Sequence, residues 1–111
     1  MADCRADVAD MLSQLVSDLP GVKEGKMFGF PAFYVAGKMF ACVHGEGLAL
    51  KLPVEEVESL LDRPGFTRFE PLGRRMGGWV HIAFADVEDY RGEGEMISAS
   101  ARYVAATAAA S

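Results

Sequence analysis

Residues 32–52 read AFYVAGKMFACVHGEGLALKL. Short runs rich in Val, Phe, Tyr and Leu are divided by two glycine-bearing pairs, Ala36-Gly37 and Gly45-Glu46. That pattern predicts consecutive antiparallel strands over Ala32–Ala36, Lys38–His44 and Leu48–Leu52, joined by tight hairpins. Two-residue turns pair Tyr34 with Met39, Phe33 with Phe40, Val43 with Leu48, Ala41 with Leu50 and Met39 with Leu52. Opposed residues share a face. One face then holds Ala32, Tyr34, Met39, Ala41, Val43, Leu48, Leu50 and Leu52, the expected core. The other holds Phe33, Val35, Lys38, Phe40, Cys42, His44, Ala49 and Lys51.

Helices flank these strands. Upstream, Val8, Met11, Leu12, Leu15, Val16 and Leu19 recur at helical spacing. Asp3 is the expected N-cap, and Pro20-Gly21 ends the run. A further strand is expected over Lys26–Phe30. Downstream, Pro53–Asp62 starts with Pro and two glutamates, which suit a helix N-terminus, and carries Val54, Val57, Leu60 and Leu61 as its apolar stripe. Phe66–Glu70 and Trp79–Phe84 read as two more strands around a glycine loop. Arg91–Gly94 reads as a loop, and a last helix begins near Glu95. The order α-β-β-β-β-α-β-β-α predicts one α+β domain over residues 1–111, an antiparallel sheet with its helices on one face.

In the last strand, Val80 and Ile82 suit the core, which leaves Trp79 and His81 on the second face. With the helices on the other side, Phe33, Phe40 and Trp79 are expected to stand partly open to solvent beside Lys38 and Lys51. Aromatics among lysines mark a partner-binding surface.

The chain has 16 acidic and 11 basic residues, a net charge of −5, and is half hydrophobic. It is too apolar for a disordered chain and too short for two ordinary domains. The charge is uneven. Residues 53–62 hold Glu55, Glu56, Glu58 and Asp62 without a base, whereas 63–75 hold Arg63, Arg68, Arg74 and Arg75 against Glu70. Arg74 and Arg75, on the glycine loop beside Trp79, and Arg68 are the candidate contacts for an anion or nucleic acid. The overall acidity argues against nucleic acid as the main partner.

Catalytic and metal signatures are lacking. No serine sits in a G-x-S-x-G elbow, and Cys4 and Cys42 belong to no C-x-x-C pair. Cys42, His44 and His81 barely reach the three ligands plus water that zinc needs, and a small buried thiol with a turn histidine is the expected reading. No cofactor, metal or catalytic residue is therefore expected. With no signal-peptide pattern and no membrane span, a cytoplasmic location is expected.

Lys26-Met27-Phe28-Gly29, Tyr34-Val35-Ala36-Gly37-Lys38-Met39-Phe40-Ala41 and Leu48-Ala49-Leu50-Lys51 resemble the N-terminal domain of the TfoX/Sxy competence regulators. Leu19-Pro20-Gly21-Val22, Gly37-Lys38, Leu50-Lys51-Leu52, Pro64-Gly65 and Trp79-Val80 are similar to the YjbR (MmcQ-like) family. The resemblance spans roughly residues 15–105. It implies the type III secretion chaperone-like fold and supplies no catalytic residues. The competence regulators also carry a C-terminal helical domain that these residues do not include. The expected function is a non-enzymatic interaction or regulatory module that binds a protein partner or itself. The alternative is a nucleic-acid-binding regulator, and a small-molecule site near Cys42, His44 and His81 ranks last.

Overall fold

The structure is a computed structural model that describes residues 5–27, 29–73 and 77–110, with Leu72 and Ala110 as backbone only. In chain order the elements are helix α1 (Ala6–Val16), strands β1 (Val22–Met27), β2 (Phe30–Val35), β3 (Lys38–His44) and β4 (Gly47–Lys51), and helix α2 (Val54–Leu60). They continue with β5 (Phe66–Arg68), a 3-10 turn at Pro71–Gly73, β6 (Trp79–Ile82), a 3-10 helix at Val87–Glu93 and α3 (Gly94–Ala110). The six strands form one antiparallel sheet in the order β1-β2-β3-β4-β6-β5.

The expected α+β class and element order are present, with shifts at some boundaries. The first strand ends at Met27, where it was expected to run from Lys26 to Phe30. The segment at 91–94 is the end of a 3-10 helix and the start of α3, where a loop was expected. The Asp86 side chain caps that 3-10 helix by accepting from the Glu88 amide at 2.9 Å. Asp3, the expected cap of α1, lies outside the described residues. Arg5 takes the N-cap position, and the Asp7 carboxylate accepts from the Val8 amide at 2.9 Å.

All three helices bury their stripes on the same side of the sheet. Val8, Met11, Leu12 and Val16 of α1, Val57 of α2, and Ile97, Ala101 and Val104 of α3 meet Val43, Leu48, Leu50, Val80 and Ile82 in one core. Buried Tyr90 closes its lower end by accepting the Phe84 amide at 2.8 Å.

The hairpin at Ala36-Gly37 has positive φ at both positions, 53° and 78°, the primed-turn geometry that matches strand twist. Tyr34 therefore pairs with Met39 as predicted. Phe33, however, pairs with Ala41 and not with Phe40. The register shifts between Phe33 and Tyr34, leaving Phe40 as the extra residue of a β-bulge. One added residue inverts the alternation on either side of it.

This overturns part of the predicted face assignment. Phe33, Val35 and Phe40 belong to the helix-covered core, and Phe33 and Phe40 are 1% and 0% exposed. Ala32, Tyr34 and Met39 lie on the opposite face, where they pack with Cys42, Ala49, Phe69 and Trp79. Ala41, Val43, Leu48, Leu50 and Leu52 are in the main core, as expected.

Candidate interaction face

The second face of the sheet has no helix over it among the described residues. Its centre is a cross-strand row of small side chains: Gly25 opposite Ala32, Ala32 opposite Cys42, Cys42 opposite Ala49, and Ala49 opposite His81. Large residues stand on both sides of this row. Tyr34, Met39 and Trp79 are on one side, with Met27 and Phe30 on the other. Ala32, Cys42 and Ala49 are buried beneath them. Met27, Phe30, Tyr34 and Met39 are half-buried and form the outer surface.

Tyr34 leans across Gly25. A Cβ at Gly25 would lie 3.0 Å from the Tyr34 ring, and the Tyr34 hydroxyl donates to the Lys26 carbonyl at 3.0 Å. The glycine thus gives the ring its place beside edge strand β1.

At the other end of the face sits Phe69, just past β5 and 1% exposed. Its ring lies 5.2 Å from His44, 5.9 Å from Trp79 and 6.1 Å from His81, centroid to centroid. His44 also meets Phe30 edge-on at 5.6 Å. His81 Nε2 is 2.8 Å from the His44 carbonyl oxygen. Burial, and then the neighbouring His81, holds the His44 imidazole below its usual pKa. Burial pushes the Cys42 thiol up to about 12, so it is an unreactive packing group at neutral pH.

The residues predicted to bind a partner are thus divided. Phe33 and Phe40 are inside the main core. Trp79 is on the second face but only 6% exposed, covered by Phe69. Lys38 is exposed at the start of β3, opposite Val35 and off this face. Lys51 is opposite Trp79, with its ammonium next to Gly78. Of the predicted anion contacts, Arg74 and Arg75 lie outside the described residues. Arg68 is held by both oxygens of Glu58, at 2.6 and 2.8 Å, which raises its pKa. Arg68 and Trp79 do line one cleft of about 200 Å³, shared with Val54, Val57, Glu58 and Gly77-Gly78.

Phe69 is the residue that the sequence left unassigned. It was expected at the end of a strand, where alternation says nothing about its reaching over the neighbouring strands. Among the described residues no three His, Cys, Asp or Glu side chains are grouped to hold a metal. No helix among them is long and apolar enough to cross a membrane.

A six-stranded antiparallel sheet, backed by three helices and faced by an aromatic and histidine layer, defines a small α+β domain. A family model described as YjbR matches residues 17–100, and the chain belongs to that family. No curated protein and no solved structure matches the chain.

Proposed function

We propose that this chain is a non-enzymatic, cytoplasmic interaction module that engages a protein partner through the second face of its sheet. The observation that carries this reading is the asymmetry of the sheet. Three helices seal one face, while Met27, Phe30, Tyr34 and Met39 form a half-buried apolar surface on the other. Apolar surface of this kind gains most when a partner removes it from water. The likeness of residues 26–29, 34–41 and 48–51 to the TfoX N-terminal domain supports a regulatory setting.

The test pairs Phe30→Ser with Met39→Ser and uses Val54→Ser, on exposed α2, as the control. Proteins captured from a lysate are purified and titrated against each form. Lost binding in the double variant, with unchanged thermal unfolding and a normal Val54 control, supports the reading. Wild-type affinity in the folded double variant refutes it.

A further inference from the structure

The second face differs from the rest of the molecule in charge. The chain carries a net −5, yet no strand residue on this face is Asp or Glu. Its ionisable side chains are Lys23 opposite Tyr34, Lys51 opposite Trp79, the histidines His44 and His81, and the side chains of Tyr34 and Cys42. Acids near the sheet are engaged elsewhere. Glu24 points to the helix side, where it accepts from Ser13 at 2.6 Å. Glu58 and Glu70 both act on Arg68. Lys23 is on β1 and Lys51 on β4, three strand spacings or roughly 14 Å apart. The apolar residues Tyr34 and Met39 lie between them.

We propose, building on the interaction face described above, that its partner is an acidic peptide segment interleaved with apolar side chains. Carboxylates meet Lys23 and Lys51, and apolar side chains settle on Met27, Phe30 and Met39. Two cations flanking an apolar strip select against a basic partner, because like charges brought together out of water are costly.

The test uses the full chain as bait in a random 12-mer peptide display selection, with a mixed-sequence 20-base-pair DNA duplex as a second probe. Binding is mapped by NMR of 13C-methyl methionine. Met27 and Met39 report on the face, and Met11, 2% exposed in α1, reports on the main core. The expected outcome is an acidic, apolar consensus that shifts Met27 and Met39 but not Met11. Lys23→Glu and Lys51→Gln each weaken its binding by roughly tenfold, and Lys23→Arg does not.

A neutral or basic consensus that still shifts Met27 and Met39 overturns the charge inference and leaves the face standing. An acidic consensus whose shifts leave Met27 and Met39 untouched overturns both. Failure to enrich any peptide overturns the charge inference. Duplex binding at these methionines, without peptide binding, overturns both in favour of nucleic acid.

Discussion

The hydroxyl of Ser100, on α3, lies 3.1 Å from the carbonyl oxygen of Phe40 and 2.7 Å from that of Lys51. Phe40 is the bulged residue of β3, and Lys51 ends β4, so one buried side chain ties the helix to the irregular part of the sheet. A bulge takes backbone groups out of the regular ladder, and an unpaired buried carbonyl is costly. Ser100 has one proton to donate and shares it between the two acceptors. Ser100→Ala is expected to destabilise the fold by about 1–2 kcal/mol, measured by urea unfolding. Ser100→Val, which adds bulk at a site with no exposure, is expected to cost more. Stability within a few tenths of a kcal/mol of wild type in the alanine variant would show that the bulge needs no donor.

Phe40 itself is a core residue, which gives its substitution a different meaning from that of a surface aromatic. Phe40→Ser removes a fully buried ring and leaves a hydroxyl among apolar groups. The expected cost is at least about 3–5 kcal/mol, the range for truncating a buried aromatic. A domain of this size has total stability of the same order, so the variant should be largely unfolded by circular dichroism. A folded Phe40→Ser protein would contradict the burial of this ring.

Gly47 is required by close backbone approach and not by a turn conformation. A Cβ there would sit 1.9 Å from the Ile82 carbonyl oxygen, inside the β4–β6 pairing. Rigid backbone cannot yield as a side-chain tip can. Gly47→Ala is therefore expected to destabilise by more than about 2 kcal/mol, against the about 0.5–1 kcal/mol gain of a permitted Gly→Ala change. Gly37→Ala, in open space but at positive φ, should cost less in the same denaturation series.

The His44 imidazole is held below its usual pKa of 6.5 by burial and by His81. The unfolded chain takes up this proton more readily than the folded one, so stability rises with pH across the window just below 6.5. Lowering the pH from 7.5 to 5.5 is expected to reduce the urea midpoint. His44→Gln should flatten that part of the profile. Equal slopes in the two proteins would assign the pH dependence to other groups.

The likeness between prediction and structure is greatest where the signal is local. The helical stripe of α1, the glycine turns at 37 and 45, the core side of Val80 and Ile82, and the pairing of Val43 with Leu48 all follow from short-range pattern. The shared face of Trp79 and His81 was equally readable. The grip of Arg68 on Glu58 was not readable, because it depends on how α2 packs against the sheet.

The sequence by itself determined the α+β class and the order of elements, because periodicity and turn chemistry act within a few residues. Only the tertiary structure decided which face each residue of β2 occupies. A single extra residue at Phe40 costs little locally, yet it reverses the alternation, and what stabilises it is Ser100, 60 residues away. The same holds for the second face. Phe69 covers His44, Trp79 and His81 because β5 returns to the sheet edge beside β6, a long-range pairing to which short-range pattern is blind.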